Sequence, residues 1–329
     1  MFSMLCMMGA VAFLASSCNK NDQKSSVSIG LPAAFQEVSA DDEKLYVDFN
    51  DGNVFKWNAE DEVMIYNLNE NDGTQTVKAI YTAGTGAEGQ VLANFDGDDL
   101  GNPQGHYFVF FPVNKVEGAT DALDANNYQT FRVFDTQEYT LVNGNPTVDK
   151  KSLAAACEVN SMNEPFTLNH IFGVCRLRLK GDKTVTRIEL TDEHHGLAGT
   201  VGMKLHEVNM AKFQDLMDKY TLATDLQSGM NPAFVSAWNT YRQELGYTSN
   251  AESHTIALTF TNGGVQLNSD YTPFYITVRP GAFIDGFKVK VYYDDNTDKT
   301  FEKYNHPKTS YRIRAGYVTS FKIDVNTEN

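Results

Sequence analysis

The glycine-rich stretch at residues 84–89, GTGAEG, has the GxGxxG spacing of a dinucleotide-binding loop. In such sites a helix begins at the glycines, so that its N-terminal amides meet the pyrophosphate. The residues that follow here, VLANF at 91–95, are too few for a helix and have strand character. We therefore interpret the glycines as a hairpin loop and predict no cofactor.

The acidic stretch near residue 295 has the first spacings of a calcium loop, with Asp294, Asn296 and Asp298. Lys299 stands where such a loop needs glycine, and Asn305 stands where it needs a bidentate glutamate. We interpret the stretch as the solvated turn of a hairpin. The sequence therefore predicts no calcium site here.

Two adjacent histidines, His194 and His195, are further candidates for metal ligands. Neighbouring strand residues point to opposite faces, so the two imidazoles converge only within a turn. The sequence supplies no third ligand, and we predict an exposed turn and no metal site. His170 lies in an apolar stretch and is predicted to be a core histidine with a hydrogen-bond partner.

Cys157 and Cys175 lie on consecutive predicted strands. An exported protein can form a disulfide, and two free buried thiols are the alternative; the sequence leaves both open. Neither cysteine has an obvious base beside it, which argues against a thiol nucleophile.

The sequence contains none of the common catalytic patterns GxSxG, HExxH or the P-loop. Carboxylates are abundant but form no evident pair. A glycosidase is therefore the third hypothesis, and it would need a deep cleft with two convergent carboxylates. We predict that the chain is not an enzyme and has no catalytic residues.

The composition favours strands and turns. The chain has 329 residues, with 21 Phe and 16 Tyr, which is enough for two domains with sizeable cores. The formal net charge is −15, from 27 basic and 42 acidic side chains. Such a surface repels phosphate backbones, so we expect no nucleic-acid partner.

The apolar run at residues 5–15 has the length of a signal-peptide core and is too short to span a bilayer as a mature helix. The small residues between it and Cys18 resemble the lipobox of bacterial lipoproteins. The resemblance implies a signal peptide at residues 1–17, a lipid on the Cys18 sulfur and a polar tether at 18–26. An ordinary secretory signal with a chance cysteine is the alternative. The lipobox residues are Leu14, Ala15, Ser16 and Ser17.

The elements that must position these residues are mainly predicted strands. Residues 166–180, FTLNHIFGVCRLRLK, form the longest stretch with strand character and are apolar on both faces at the centre. They predict either a central strand buried on both sides or a strand that crosses between sheets, with a bend near Gly173. Short strands on either side predict two antiparallel β-sandwich domains, at residues 27–163 and 164–329.

One part of the second domain, near residues 207–246, departs from the strand pattern. Asn231 and Pro232 suit the start of a helix, and Gly246 suits its end. We predict a short two-helix insertion here, which either covers a sheet or forms a binding lid. The apolar residues at helical spacing are Phe234, Trp238, Tyr241 and Leu245.

Several motifs, taken in their order along the chain, resemble those of the fimbrillin family. They are WNAEDEVMIY at 57–66, LANFDG at 92–97, YFVFFP at 107–112, FTLNH at 166–170 and GLAGT at 196–200. The resemblance covers most of the chain after the tether. It implies two tandem transthyretin-like β-sandwich domains. It also implies a structural or adhesive lipoprotein of fimbriae, as subunit, tip or anchor, at the bacterial outer membrane and cell surface.

The resemblance implies a mode of assembly as well. In stalk subunits of the family an arginine-specific protease removes the first strand, and a strand of the next subunit fills the groove. This chain has no arginine before Arg132, and Lys44 is the first basic residue after the first predicted strand at 27–31. The candidate donor is the last strand, with Phe321, Ile323 and Val325.

The expected partners are other fimbrial subunits, the outer membrane through the lipid, and a host or bacterial receptor or glycan. The alternative function is a polysaccharide-binding outer-membrane lipoprotein of the same sandwich class. A cluster of exposed tryptophan or tyrosine on one platform would favour that alternative. The two tryptophans, Trp57 and Trp238, both fit packing positions.

Overall fold

The computed structural model describes residues 24–30, 36–39, 56–68, 75–100, 106–111, 128–142, 145–193, 196–204, 247–283, 286–303, 311–313 and 316–327. These residues form strands and two short 3₁₀ helices, Thr85–Ala87 and Lys150–Ser152, so the fold is mainly β as predicted. None of their helices is long and apolar enough to cross a membrane. The lipobox, Cys18 and the predicted helical insertion at 207–246 lie outside the described residues and stay predictions.

The strands are short and numerous, as the turn-rich sequence predicts. Those up to residue 170 are β1 Lys24–Gly30, β2 Gln36–Ser39, β3 Glu62–Leu68, β4 Gln75–Ala83, β5 Leu92–Asp98, β6 Tyr107–Phe111, β7 Tyr128–Val133, β8 Thr136–Glu138, β9 Thr140–Val142, β10 Asn145–Thr147, β11 Ala155–Val159, β12 Phe166–Thr167 and β13 Asn169–His170. Those after residue 170 are β14 Gly173–Lys180, β15 Thr184–Thr191, β16 Ala198–Lys204, β17 Tyr247–Ser253, β18 Thr255–Thr259, β19 Val265–Gln266, β20 Thr272–Val278, β21 Gly281–Phe283, β22 Phe287–Tyr293, β23 Asp298–Lys303, β24 Tyr311–Ile313 and β25 Tyr317–Asp324.

The first sheet closes on itself. Its strand order is β12-β1-β5-β4-β3-β6-β11-β13, and its two end strands are separated in sequence only by Leu168. The chain therefore joins the two edges of the sheet. The backbone N–H of Leu168 donates to the carbonyl oxygen of Gly30 at 3.0 Å, and that of Ile171 donates to Ala154 at 3.1 Å. We call this closed sheet the barrel; it differs from the predicted sandwich of two separate sheets.

The barrel encloses its own core, which includes Val27, Ile29, Trp57, Phe95 and Leu168. Strands β3 and β6 are buried on both faces, because their alternate residues pack outward against the rest of the chain. This double burial explains why both strands are continuous apolar runs instead of alternating. The outward-packing residues are Met64, Tyr66, Phe108 and Phe110.

Two further sheets face each other across the second core. One has the order β2-β25-β14-β20, and the other has the order β23-β22-β15-β18-β8. Leu177 and Phe321 of the first sheet share a core cluster with Ile188 and Val291 of the second. The rings of Phe287 and Phe321 meet edge to face, with centroids 4.4 Å apart. We call this part the sandwich, since two sheets bury their apolar faces against each other.

Strand pairing crosses the boundary predicted between residues 163 and 164. Strands β2 and β8 belong to the sandwich sheets, β7 pairs with β16, and β12 and β13 belong to the barrel. The pairing is also mixed, which corrects the antiparallel prediction. The ladders β1–β12, β2–β25, β8–β18 and β14–β25 are parallel. Parallel neighbouring strands need a long connection between them. In all four ladders the two paired strands lie far apart in the sequence.

The long apolar stretch at 166–180 crosses between the two parts. Its first residues form β12 and β13 in the barrel, and β14 forms the sandwich strand between β25 and β20. The change of sheet falls at Ile171 and Phe172, directly before Gly173, where the bend was predicted. The second of the two interpretations, a strand that crosses between sheets, is therefore confirmed.

The side chain of Gln137 seals part of the β20 edge of the sandwich. Its Nε2 donates to the carbonyl oxygen of Thr277 at 2.7 Å, and its Oε1 accepts from the N–H of Thr277 at 2.9 Å. The amide thus makes the two bonds that a neighbouring strand would make. Gln137 is only 1% exposed, so the bonds replace those it would make with water.

Candidate functional site

The candidate functional site is the place in the barrel that β1 occupies, between β5 and β12. Strand β1 makes an antiparallel ladder of seven residue pairs with β5, and two parallel pairs with β12. Its side chains alternate, with Ser26 exposed and Val27 and Ile29 buried in the barrel core. This is the alternation that the sequence predicts for the first strand. The strand therefore fills a slot between β5 and β12 with two apolar side chains.

Trp57 forms the floor of the slot. Its indole Nε1 donates to the backbone oxygen of Ile29 at 2.9 Å. Its ring lies edge to face against Phe95 and Phe111, with centroids 4.8 and 5.1 Å away. Trp57 is fully buried, as predicted for a packing position. The indole thus anchors β1 by a hydrogen bond from within the core.

Tyr81 holds the outer end of β1. Its hydroxyl hydrogen-bonds with the Ser25 Oγ and donates to the backbone oxygen of Asp98 at 3.0 Å. Burial raises the pKa of Tyr81, so the hydroxyl keeps its proton at neutral pH. The sequence analysis missed this contact. The position of Tyr81 in the alternating pattern of β4 could have indicated an inward side chain. It could not have indicated the partner, Ser25.

The glycine-rich stretch is a hairpin loop between β4 and β5, as predicted. Gly89 adopts a φ of 74°, which suits glycine, and its N–H donates to the Trp57 oxygen at 2.9 Å. The Trp57 N–H in turn donates to Gln90 at 2.8 Å. The carboxylate of Glu88 accepts from the N–H of Ala59 at 2.9 Å. The loop therefore fixes the backbone that carries the indole under β1.

Two of the predicted donor residues, Phe321 and Ile323, lie in β25, and Val325 follows the strand directly. Phe321, Ile323 and Val325 are 0%, 3% and 5% exposed in the sandwich core. Strand β25 pairs over seven residues with β14 and over four with β2. Donation of β25 to another subunit would therefore break its own ladders and empty its own core. The donor role stays a prediction. Its cost in free energy would be the loss of these two ladders and of the packing of these side chains.

The two cysteines lie in different cores. Cys157 packs in the barrel and Cys175 packs in the sandwich, and both thiols are free. Of the two alternatives left open by the sequence, the structure has the pair of free buried thiols and not the disulfide. Burial raises the pKa of Cys157 to about 12 and also raises the pKa of Cys175. Both therefore stay protonated at neutral pH, which does not suit a nucleophile.

The acidic stretch near residue 295 forms a hairpin turn, and the adjacent histidines lie outside the described residues. Asp295 accepts from the Thr297 N–H at 3.0 Å and from Lys183 Nζ at 2.9 Å, within the β22–β23 hairpin turn that was predicted. The Thr297 hydroxyl and Lys183 lower the pKa of Asp295 to about 2. His170 is buried, and His194 and His195 lie outside the described residues. The described residues hold no group of three or more His, Cys, Asp or Glu that could bind a metal.

No family model and no curated protein matches the chain. Among solved structures, a candidate cell adhesion protein from Bacteroides uniformis is similar over 91% of this chain and 93% of its own, at 13% identity and a TM-score of 0.45. A candidate cell adhesion protein from Bacteroides ovatus has 10% identity, coverage of 91% and 92%, and a TM-score of 0.44. The tip fimbrial protein Mfa3 from Porphyromonas gingivalis has 8% identity, coverage of 93% and 97%, and a TM-score of 0.41. These structural neighbours are candidate cell adhesion proteins and a fimbrial protein.

Proposed function

We propose that the chain is a fimbrillin-like protein of the bacterial surface, with a structural and adhesive role and no catalytic one. The single observation that supports this most is the seating of β1. This strand comes first in the described chain, buries two apolar side chains and completes a barrel that closes only through the short β12. The ordered fimbrillin-like motifs of the sequence are the independent support.

The seating of β1 suits replacement by a strand from another subunit. Removal of β1 would leave the β5 edge unpaired and would expose Trp57 and Phe95 at the floor of an apolar slot. A donor strand can satisfy both the unpaired amides and the apolar side chains. The indole N–H of Trp57 would then bond to a donor backbone oxygen in place of that of Ile29. The donor strand would replace the hydrogen bonds and apolar contacts that β1 gives up. The exchange can therefore proceed once β1 is released.

The proposed release is a cut at or near Lys44. A cut there would free β1 together with β2, because both precede it in the chain. The β5 edge of the barrel and the β25 edge of the sandwich would lose their partners at the same time. An incoming subunit would thus meet two open edges instead of one. Lysine in place of arginine implies a protease with different specificity from the one that the family resemblance implies.

The proposed anchor is a lipid on Cys18, with the following polar residues as a tether. Each buried methylene of an acyl chain contributes about 0.8 kcal/mol to membrane binding. Replacing Cys18 by alanine should abolish palmitate labelling and release the protein from the detergent phase. Unchanged labelling and partitioning of Cys18→Ala would exclude this anchor.

Assembly can be tested with a releasable β1. A specific protease site is placed between Ser39 and Lys44 of the mature chain, with Cys18 replaced by serine. The purified folded protein is then cut and mixed with uncut protein. We expect loss of residues up to the cut and the formation of oligomers that resist SDS without boiling. A cut protein that sheds β1 and stays monomeric at high concentration would overturn the proposal, and so would one that retains β1.

The matched control locks β1 in place. Ser26 of β1 and Asp96 of β5 are directly opposite and both exposed, so the pair Ser26→Cys and Asp96→Cys can form a disulfide. The locked protein should be cut as readily but should not assemble until a reductant is added. Cys157 is buried and should not interfere.

A further inference from the structure

The slot that β1 fills between β5 and β12 places different demands on different residues of the strand. Seven residues of β1 pair with β5, and the last two, Ile29 and Gly30, also pair with β12. Backbone hydrogen bonds of this kind can be made by almost any extended sequence, and side-chain fit supplies the specificity. Three features of the slot make such a selection.

The first feature is the crowding at Gly30. A Cβ atom on Gly30 would lie 2.8 Å from the Thr167 Oγ1, closer than two unbonded atoms of these kinds normally approach. Thr167 is the direct partner of Gly30 in the parallel ladder, and the N–H of Leu168 donates to the Gly30 carbonyl oxygen at 3.0 Å. Because these pairings hold the two backbones together, any other residue at this position must displace the Thr167 side chain. The position therefore favours glycine.

The second feature is the match of sizes on the inner face. Val27 is opposite Phe95, and Ile29 is opposite Ala93. All four side chains are buried in the barrel core. The larger residue of β5 thus faces the smaller residue of β1, and the smaller one faces the larger. A side chain bigger than valine opposite Phe95 would overpack this part of the core.

The third feature is the position of Tyr81 under the outer end of β1. Its ring lies against Gly97 of β5, where an added Cβ atom would be 2.6 Å from the Tyr81 Cδ2. Gly97 is the partner of both Tyr81 and Ser25, so the tyrosine reaches from β4 across β5 to hydrogen-bond with the Ser25 hydroxyl. A small hydroxyl residue fits here, and a bulky one would meet the tyrosine.

Strand β25 does not meet these demands. In the direction of β1 and with its apolar side chains inward, it has three registers in the slot, which place Lys322, Asp324 or Asn326 at the Gly30 position. The register that puts Asp324 there also puts Phe321 opposite Phe95. Only a strand with a small hydroxyl residue, a valine, an isoleucine and a glycine at the corresponding places fits every part of the slot.

We propose that the slot takes β1 from a second copy of this chain in preference to β25, so that uncut copies can exchange their first strands. Exchange of an identical element joins two copies by the contacts that each makes alone. Strand β1 suits exchange because it precedes all other described strands and fills the barrel core with only Val27 and Ile29. Residues 31–35 would connect the exchanged strand to β2 of its own copy. This goes beyond the proposed function, because it needs neither a cut nor a donor strand other than β1.

The test uses two forms of the mature chain, both with Cys18 replaced by serine. The donor carries Ser26→Cys and the recipient carries Asp96→Cys, at two exposed positions that are direct partners in the β1–β5 ladder. The two forms are unfolded together in urea with a reductant, refolded by dilution and then oxidised. A disulfide between them forms where β1 of the donor lies in the slot of the recipient. We expect a covalent heterodimer that returns to monomers on reduction.

Specificity is tested by changing the fit at Gly30. Gly30→Ala in the donor should lower the heterodimer yield about tenfold or more, since about 1.4 kcal/mol is a factor of ten. Thr167→Ala in the recipient should restore the yield, because it removes the oxygen that the new methyl group meets. This rescue separates a loss of fit from a loss of folding. Val27→Phe in the donor should lower the yield as well, and an unchanged yield with Gly30→Ala would overturn the proposal.

Two further variants give the background and the competing strand. A recipient with Glu302→Cys, at an exposed position on β23 of the sandwich, measures random collision. A donor with Ser320→Cys tests β25, because Ser320 precedes Phe321 as Ser26 precedes Val27. A yield no greater than that of random collision would overturn the proposal, and so would an equal yield from the Ser320→Cys donor. Either result leaves assembly of cut chains unaffected, so the two proposals can fail separately.

Discussion

The first and last strands of the described chain, β1 and β25, have similar apolar alternation but differ in how they pair and in what they bury. Strand β1 has one long ladder and two additional pairs, and it buries Val27 and Ile29. Strand β25 has a long ladder on one side and four pairs on the other, and it buries Phe321 and Ile323. Alternation therefore reports which face of a strand is buried. How many edges a strand pairs, and how much volume it fills, decide whether it can leave.

The largest effect expected from this comparison is that of Phe321→Ala in β25. The Phe321 side chain is fully buried against Phe287, so its truncation should lower the free energy of unfolding by about 3–5 kcal/mol. Urea unfolding followed by fluorescence measures the change. A cost below about 1 kcal/mol would show that β25 contributes little to its own core. The strand would then be free to serve as a donor.

A smaller effect is expected from Trp57→Phe under β1. The variant keeps an aromatic ring but removes the indole donor, which leaves the carbonyl oxygen of Ile29 without that bond at a cost of about 1–3 kcal/mol. Hydrogen exchange should rise in residues 24–30 and stay slow in residues 317–324. Phe95→Leu, which alters packing and not the hydrogen bond, is the control. Equal acceleration in both strands would mean that β1 and β25 open together, and the comparison would fail.

The smallest effect expected concerns the thiols of the two cores in alkali. The folded pKa of Cys157 is raised from 9.0 to about 12, so its stabilising contribution is complete below pH 9 and is lost as the pH rises toward 12. At pH 10 the unfolded thiol has lost its proton and the folded one has kept it, which lowers stability by about 1.4 kcal/mol. Cys157→Ala should therefore lose less stability than the unchanged protein between pH 9 and pH 10. Cys175→Ala makes the same test in the sandwich, and unchanged slopes in both variants would contradict it.

The strands that the sequence predicts well are those whose burial is visible in their own residues. The alternation of Val27 and Ile29 indicates one buried face, and the continuous run in β6 indicates two. The polar β2, with the sequence QEVS, was missed, because its sequence has no apolar alternation and its pairing with β25 joins residues far apart in the chain. The two-residue strands β12 and β13 are too short to show any period, so closure of the barrel could not be predicted.

The candidate sites were harder to predict than the strands, because they depend on pairs of residues far apart in sequence. Nothing local to Trp57 indicates that its indole reaches Ile29. The separation of Cys157 and Cys175 into two cores follows from the change of sheet at residues 171–172.

Closure of the barrel through Leu168 has a consequence for the order of folding. Ile29 pairs with Phe166, so the first described strand waits for one of the last strands of the barrel before its pairing is complete. Contacts of such long separation form slowly, because a long loop must close before they add stability. Until then β1 pairs only with β5 and has only part of its final support. We therefore expect the place of β1 to be among the last parts of the barrel to be completed, so that a strand from a neighbouring molecule could enter there first.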